Sequence, residues 1–292
     1  MSRVALATSR FALPGALANL DALEANVDVD LTGLRGAVEA LGVECRYEVW
    51  DDDAVDWESY DLVVVRSTWG YVREYQSFLA WAHARARLVN PYPVIEYSSD
   101  KHYLADLADR GVPVIDSVFC EVGEVPHFPV VDFVVKPTVG AGSIDARRFG
   151  PDQLEEAEHH VAALHATQRC ALIQPYVHSI DERGELALIF IDAHFSHAVT
   201  KRAMLNVAPR ERDGAFRSSQ VGEASAPPEA LALARGVFCG ALGELTYARV
   251  DLVEGSAGWQ LLELELVEPA LYLAYAAGAT ERLAQAIVRR TT

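Results

Sequence analysis

Three carboxylates near the end of the chain have a spacing that could hold a metal ion. Glu263 and Glu265 alternate with leucines, so a β-strand would place both side chains on one face. Asp251 lies in the preceding apolar segment, and a hairpin turning at residues 255–258 would bring it to the same face. Neighbouring carboxylates repel one another unless a cation lies among them, and Mg²⁺ prefers oxygen ligands. The pattern fits either a magnesium site or a solvated face of the sheet.

Lysine is scarce in this chain. Only Lys101, Lys136 and Lys201 are lysines among the 25 basic residues. Arginine does not imitate a compact ammonium, so the few lysines that remain suggest a role that needs this group. Compositional drift would also explain their number. Lys136 ends an apolar segment and precedes a small-residue loop at 140–143, whose backbone N–H groups could approach phosphates. Neither a GxxxxGK[ST] nor a GxGxxG motif occurs.

The composition is that of an ordinary globular protein. The chain has 292 residues, of which 51% are hydrophobic, and a formal net charge of −17. This length allows about two domains of roughly 100–200 residues each. The acidic balance argues against a general nucleic-acid or anionic-membrane surface. Four widely spaced cysteines, and the absence of an apolar run of about 20 residues, lead us to expect a cytoplasmic protein.

The first part of the chain alternates strand and helix patterns. Strands are expected at 3–8, 43–50, 61–65 and 88–90, and helices at 33–42 and 74–87. This alternation predicts βαβ units and a parallel sheet. Ligands bind beyond the carboxyl ends of such strands, where two polar loops fall at 8–10 and 66–71.

The remainder is predicted to be a mixture of helices and antiparallel strands. A helix is expected to start at a cap formed by residues 98–100 and to end at Arg110. Residues 204–226 lack periodicity, which predicts a long functional loop. The other expected strands are 113–115, 131–136, 171–175, 185–192, 195–201, 247–253 and 259–267, and the other expected helices are 152–167, 227–245 and 280–290.

The order of these features resembles the ATP-grasp superfamily over about residues 60–290. The shared parts are a helix-borne lysine, a strand lysine, a small-residue loop, a hinge strand at 172–177, a Gly-Glu turn and a terminal acidic set. The resemblance implies an α/β fold that is α+β in its C-terminal half. We expect an N-terminal parallel-sheet domain at 1–97, a central subdomain with a lid loop at 98–178, and a C-terminal domain at 179–292. The second and third would clasp ATP.

Several short sequence motifs are more similar to those of a small actinobacterial group within that superfamily. They are Arg66-Ser-Thr-Trp69, Ser196-His-Ala-Val199 with Lys201, Ala248-Arg-Val-Asp251 and Glu263-Leu-Glu-Leu-Val-Glu-Pro269. The group includes the cyclo-ligases of D-cycloserine biosynthesis, which close O-ureido-D-serine into an isoxazolidinone ring. The resemblance implies an ADP-forming ligase that activates a carboxylate as an acyl phosphate.

The resemblance also implies roles for individual residues in binding ATP and Mg²⁺. Two Mg²⁺ ions are expected, and the second would neutralise Glu265, where the superfamily usually has Asn. The implied phosphate ligands are Lys101, Lys136 and Lys201; the lid is Gly140, Ala141, Gly142 and Ser143; the adenine contacts are Gln174 and the backbone of Tyr176 and Val177; the ribose contact is Glu185; the metal ligands are Asp251, Glu263 and Glu265.

The expected substrate contacts come from several parts of the chain. Arg217 and Arg249 are candidates to stabilise the acyl phosphate and its tetrahedral successor, because arginine offers a fixed fork of donors. Arg217 could instead be a surface residue, and Arg249 could pair with Glu263 or Glu265. The candidates for binding a small amino acid-derived substrate are Arg66, Ser67, Thr68, Trp69 and His197, although Trp69 could equally be a core aromatic.

Two other functions use the same nucleotide residues. One is an intermolecular ligase that joins an amino acid to an amine, and the other is a non-catalytic ATP-binding module. Many ATP-grasp ligases form homodimers, so a homodimer is also possible, but the sequence has no clear apolar patch that would predict one.

Overall fold

The computed structural model describes residues 1–10, 12–13, 24–202, 221–238 and 245–291. Its N-terminal sheet is parallel, with the order β2-β1-β3-β4. This confirms the parallel sheet predicted from the strand–helix alternation. The elements are β1 Arg3–Thr8, α1 Glu24–Ala40, β2 Glu44–Val49, a 3₁₀ helix Trp57–Ser59, β3 Leu62–Ser67, α2 Tyr75–His83 and β4 Leu88–Val89.

Two short helices follow where one was predicted. They are α3 Tyr92–Ser99 and α4 Tyr103–Asp109. The expected cap at residues 98–100 is therefore wrong, because α3 already begins after Pro91 with a proline in its first turn. Lys101 lies in the turn between the two helices and not on a helix, and the carboxylate of Asp100 accepts the backbone N–H of His102 at 3.1 Å.

The central sheet is antiparallel and has the order β5-β8-β6-β7. Phe133 and Val135 point from β6 into a core shared with the helix α5. The predicted strand at 113–115 is wrong, because Val114 forms only an isolated bridge to Leu261. The elements are β5 Val118–Cys120, β6 Phe133–Pro137, β7 Arg147–Phe149, α5 Leu154–Ala166 and β8 Ala171–Pro175.

The C-terminal sheet has the order β11-β10-β9-β12-β13 and is antiparallel throughout. The loop predicted over 204–226 is wrong at its end, because residues 221–224 pair with β10; residues 203–220 lie outside the described part. The elements are α6 Ser179–Arg183, β9 Glu185–Ile191, β10 His194–Lys201, β11 Val221–Ala224, α7 Pro228–Val237, β12 Tyr247–Gly255, β13 Gly258–Glu265, a 3₁₀ helix Leu273–Tyr275 and α8 Ala279–Val288.

Packing crosses the predicted domain boundaries. Val94 of α3 and Leu104 and Leu107 of α4 belong to the apolar core of the C-terminal sheet. The C-terminal helix α8 packs instead against the N-terminal unit, where Leu283 shares a core with Leu34 of α1. The division at residues 97 and 178 stays a prediction. Within the described residues, no helix has the length and apolar composition required to cross a membrane.

A buried polar junction joins the N-terminal sheet to the β12–β13 hairpin. The hydroxyl of Tyr247 lies 2.6 Å from the carbonyl oxygen of Val65 and 3.1 Å from those of Val89 and Val267. The side-chain amide of Asn90 donates to the carbonyls of Tyr247 and Leu266 at 3.0 and 2.8 Å. The junction therefore fixes the carboxyl end of the parallel sheet against the end of β13.

Replacing Tyr247 with phenylalanine tests the junction. The hydroxyl is fully buried, so its loss leaves carbonyl acceptors without a donor, and we expect the free energy of unfolding to fall by about 1–3 kcal/mol in urea denaturation. Tyr275→Phe is the control, because that hydroxyl makes only a 3.4 Å contact with Val221, and its effect should stay within about 0.5 kcal/mol. Equal effects would contradict the role given to the junction.

Candidate active site

A cavity of about 280 Å³ lies where the three sheets meet. Arg66 and Trp69 line it from the N-terminal sheet, Lys136 and Gln174 from the central sheet, and Glu263 from the C-terminal sheet. It therefore collects residues that are far apart in sequence. A cavity in such a place, with a few converging charged groups, is the usual form of a small-molecule site.

The β12–β13 hairpin places Glu263 and Glu265 on the cavity floor and the buried Asp251 next to them. Asp251 lies directly opposite Glu263, and Arg249 lies opposite Glu265. One carboxylate oxygen from each of Asp251, Glu263 and Glu265 lies within 4.8 Å of the others. The predicted common face is therefore confirmed. Three converging carboxylates form a ligand set that suits Mg²⁺.

Cations of the protein contact each of these carboxylates. The Lys101 ammonium lies 3.0 Å from Glu263, and the Lys201 ammonium lies 2.6 Å from Asp251. Arg249 contacts Asp251 at 2.9 Å and also donates to Glu265. The ion-pair alternative considered for Arg249 is thus present in the structure, with Glu265 and Asp251 as the partners.

Charge on the cavity floor is balanced within the protein. Lys201 also lies 2.9 Å from Glu185, directly opposite it on the neighbouring strand β9. The cations of the floor are Lys101, Lys136, Lys201 and Arg249, and the carboxylates are Glu185, Glu263 and Glu265, with Asp251 buried next to them. Four cationic side chains therefore meet four carboxyl groups.

The ion pairs shift the pKa values of the floor. Burial would raise the pKa of Glu263, but Lys101 and Lys136 lower it to about 2. Burial raises the pKa of Glu265 to about 7, because Arg249 only partly offsets it and Glu263 and Asp251 repel a further negative charge. Glu265 is therefore the floor carboxylate whose charge most needs a cation.

Lys136 differs from the other lysines because it forms no ion pair or hydrogen bond with the described residues. Burial lowers the pKa of its ammonium, and the neighbouring Lys101 lowers it further, whereas Glu263 raises it. A buried ammonium without a close partner favours an anionic ligand. A phosphate group fits this requirement.

The small-residue loop lies over these lysines. The carbonyl of Gly140 accepts a hydrogen bond from the Lys101 ammonium at 2.9 Å. A Cβ at position 140 would come within 2.9 Å of the Pro137 ring, so a glycine allows the loop to fold back here. Gly142 and Ser143 have positive φ angles of 61° and 58°, and Gly140, Ala141, Gly142 and Ser143 all line the cavity.

The hinge residues form the other end of the cavity. The Gln174 side-chain amide is buried and donates to Ser117 at 2.9 Å. The backbone N–H of Tyr176 donates to the backbone carbonyl of Asp132 at 2.7 Å, so this N–H is used by a contact next to the central sheet. Gln174, Tyr176 and Val177 all line the cavity, as the predicted adenine contacts require. Their role toward adenine stays a prediction.

The N-terminal polar loop forms the opposite wall. Arg66, Ser67 and Trp69 line the cavity, whereas Thr68 is fully buried behind it and donates its hydroxyl to Glu268 at 2.9 Å. The Arg66 guanidinium donates to the carbonyl of Pro269 at 3.0 Å. This wall thus connects the end of β3 to the segment that follows β13.

The structure does not bring His197 to the cavity wall. Its Nε2 lies 3.0 and 3.1 Å from the carbonyl oxygens of Leu271 and Tyr272, and its Nδ1 lies 2.9 Å from the Ser196 hydroxyl. His197 therefore supports the segment that carries Tyr272, which does line the cavity. The candidate Arg217 lies outside the described residues.

The sequence reasoning missed two wall residues, Glu268 and Tyr71. Glu268 lies in the same acid-rich segment as Glu263 and Glu265, but it falls outside their alternation, so periodicity gave no reason to choose it. Burial raises the pKa of Glu268 to about 8, and Thr68 and Arg66 lower it only in part. Tyr71 is buried at the same wall, and burial and the Glu268 charge raise the pKa of its phenol well above the usual value.

The fold and the arrangement of this site define an ATP-grasp protein. D-alanine–D-alanine ligase from Bacillus anthracis, solved with ATP, has the same fold, with a TM-score of 0.65 at 14% identity over 100% of this chain and 97% of that one. The similarity is much greater to the crystal structure of D-cycloserine synthetase DcsG, with a TM-score of 0.86 and 33% identity over the whole of both chains.

Two further comparisons identify the family. The cycloserine biosynthesis protein DcsG of Streptomyces lavendulae is 36% identical over 288 residues, covering 92% of this chain and 96% of that protein. Residues 4–90 match the family model of the N-terminal domain of D-cycloserine synthetase DcsG. The chain belongs to the DcsG family of ATP-grasp ligases, which confirms both levels of the resemblance seen in the sequence.

The stability of the ligand-free protein should depend on pH through Glu268. Its pKa is raised from 4.5 to about 8, so between these values the folded protein holds a proton that the unfolded chain has released. Stability should therefore fall as pH rises through this window, by up to about 1.4 kcal/mol per pH unit from this group. Glu268→Gln should remove that contribution from urea unfolding curves recorded at pH 5.5, 6.5 and 7.5.

The matched control for this experiment is Glu58→Gln, since the Glu58 side chain is 85% exposed. This variant should keep the pH dependence of the wild type. An unchanged slope in Glu268→Gln would contradict the environment described for Glu268.

Proposed function

We propose that this chain is an ADP-forming ligase that closes O-ureido-D-serine into D-cycloserine. The observation that carries the proposal is the single cavity, in which a floor of lysines and carboxylates faces a separate polar wall from residues 66–71. The first feature suits a nucleotide and the second suits a small substrate beside it. Family membership over nearly the whole chain supports the particular reaction.

The floor residues would hold the nucleotide. Lys101 and Lys136 would bind the α- and β-phosphates and Lys201 the γ-phosphate, with residues 140–143 above them. Gln174 and the backbone at 176–177 would meet adenine, and Glu185 would meet the ribose. Asp251, Glu263 and Glu265 would hold the magnesium, two ions in this proposal, which supplies charge neutralisation of the phosphates during phosphoryl transfer.

The reaction consists of carboxylate activation followed by ring closure. The substrate carboxylate attacks the γ-phosphorus, and ADP leaves. The nitrogen bonded to the side-chain oxygen then attacks the acyl carbon, phosphate leaves, and the ring closes. Because that nitrogen carries a carbamoyl group that cycloserine lacks, one water must also be consumed, with release of carbon dioxide and ammonia. Holding nucleophile and carboxylate in one molecule removes the entropy cost of bringing two substrates together.

Arg249 would stabilise the negative charge of the acyl phosphate and of the tetrahedral intermediate. Its guanidinium is held from behind by Asp251 and by the carbonyl of Ala270 at 3.1 Å, and it lines the cavity. A charged donor already fixed in place needs little reorganisation during the reaction, which is the basis of oxyanion stabilisation. Arg217, which lies outside the described residues, is proposed to share this role.

The direct test is incubation with MgATP and O-ureido-D-serine alone, followed by mass spectrometry of ADP and cycloserine. Equal amounts of both products are expected. Lys136→Met should lower kcat/KM about 10- to 100-fold, because it removes a charged hydrogen-bond donor to phosphate while keeping the aliphatic stem. A thermal melt like that of the wild type serves as the folding control.

Other outcomes would favour the other functions. ADP that appears only after a second amine is added would replace ring closure with an intermolecular ligase. Tight ATP binding with no ADP under any substrate would favour a non-catalytic module. AMP and pyrophosphate as products would contradict an acyl phosphate route altogether.

The metal assignment has its own test in Glu263→Gln. The substitution keeps the side-chain shape but removes a charge from the carboxylate set, so the Mg²⁺ concentration for half-maximal ADP formation should rise at least about tenfold. Glu185→Gln is the matched control, since Glu185 also pairs with a lysine but lies outside that set. It should change the KM for ATP more than the Mg²⁺ requirement, and the reverse pattern would refute the assignment.

A further inference from the structure

Glu268 is a carboxyl group at the cavity wall for which the described residues provide no cationic partner. Glu185, Glu263 and Glu265 each form an ion pair, with Lys201, Lys101 and Arg249 respectively. Glu268 forms no ion pair with the described residues. Among the described residues, its hydrogen bonds come from the hydroxyl and the backbone N–H of Thr68.

A partly buried carboxylate in this situation favours a cationic ligand. Removing an ionised carboxylate from water is costly unless a counter-charge accompanies it. Arg66 lies near Glu268 but beyond ion-pair distance, and its guanidinium is directed to the carbonyl of Pro269. A ligand cation at this part of the cavity wall would therefore be stabilised by an ionised Glu268.

The neighbouring groups favour an ammonium rather than a metal ion. The Tyr71 phenol lines the cavity close to Glu268 and forms no hydrogen bond with the described residues, so its oxygen is available as an acceptor. An ammonium has three donors, and Glu268 and Tyr71 offer separate acceptors for them. The described carboxylates that converge closely enough for a metal are Asp251, Glu263 and Glu265, without Glu268.

The position of Glu268 also fits the chemistry of an amino acid. It follows Glu265 by three residues, which separates their backbones by at most about 10 Å. The α-ammonium and the carboxylate of an amino acid are attached to one carbon. An ammonium held at Glu268 therefore keeps the carboxylate on the side of the cavity that carries Glu265 and Arg249.

Asp30 is the competing candidate, since it lines the cavity and also lacks an ion pair with the described residues. Its carboxylate accepts the backbone N–H groups of Tyr272 and Leu273, which places it at the start of the 3₁₀ helix. Asp30 therefore has a structural role at the start of that helix.

We propose that Glu268, oriented by Thr68 and assisted by Tyr71, binds the α-ammonium of the substrate and thereby selects α-amino acids. This inference rests on the proposed function for the identity of the substrate. Arg66 acts as a positioning residue, because its hydrogen bond to Pro269 fixes the segment that carries Glu268.

The test compares binding of O-ureido-D-serine with binding of its counterpart that has hydrogen in place of the amino group. Calorimetry with Mg²⁺ and a non-hydrolysable ATP analogue measures both affinities without turnover. The wild type should bind the amino form at least about tenfold more tightly, as expected for a charged hydrogen bond. Glu268→Gln should bring the ratio of these two affinities close to one, and Thr68→Val should lower this ratio in part. Affinity for the ATP analogue should change less than about threefold in either variant.

Asp30→Asn is the matched control, since it removes the same charge from the same cavity and should keep the wild-type ratio. The inference is overturned if Glu268→Gln keeps the ratio, if Asp30→Asn abolishes it, or if the wild type does not prefer the amino form. If Glu268→Gln does not fold, the affinity ratio measured for Thr68→Val decides the test, and an unchanged ratio would overturn the inference. If the wild type prefers the amino form but makes no cycloserine, ring closure is refuted and the ammonium site is not. If the wild type makes cycloserine but Glu268→Gln keeps the wild-type ratio of affinities, the ammonium site is refuted and ring closure is not.

Discussion

The constraint on which this structure depends is the cost of burying charge. Four cations and four carboxylates meet at the floor of one cavity, and ion pairs that involve all of them except Lys136 offset the desolvation penalty of burying these charges. The pairs are set by strand register: Glu185 lies opposite Lys201, and Arg249 lies opposite Glu265. Sheet pairing and charge pairing thus specify the same arrangement. A one-residue slip of β13 would move its carboxylates to the other face and leave the cations unpaired.

A second constraint is the alignment of two sheets that have different architectures. The parallel sheet presents loop 66–71 at its carboxyl end, as such sheets do. The C-terminal sheet presents the floor. Tyr247 and Asn90 connect the two sheets. The Tyr247 hydroxyl bonds to backbone carbonyls of the parallel sheet, and the Asn90 side-chain amide bonds to backbone carbonyls of the β12–β13 region. Because Tyr247 starts the strand that carries Arg249 and Asp251, the wall and the floor are positioned by the same strand.

The sequence predicted those parts of the site that are set by local periodicity. Alternation along β12 and β13 was sufficient to place Asp251, Glu263 and Glu265 on one face, and the scarcity of lysine singled out residues that all line the cavity. It failed where long-range contacts decide. Val114 bridges Leu261 instead of joining the central sheet, and α3 occupies residues 92–99, where the sequence predicted only the cap of a later helix. Glu268 was not predicted as a site residue, because only the fold brings it next to Thr68, which is 200 residues away in the sequence.

Residue 265 is a glutamate where the superfamily usually has asparagine, and the residue opposite it on β12 offers a physical explanation. An extra negative charge on the floor would need a further cation, and a second metal ion is one source of it. Arg249 is another, since it lies directly across the ladder and donates to Glu265. Under the proposed function, a metal ion that binds these carboxylates competes with Arg249 and Lys101 for them. Lys101 would then be free to bind phosphate, while the carbonyl of Ala270 would still hold Arg249 beside the developing acyl phosphate. The ion pairs of the ligand-free floor thus keep its charges balanced until nucleotide and metal take the place of the internal partners.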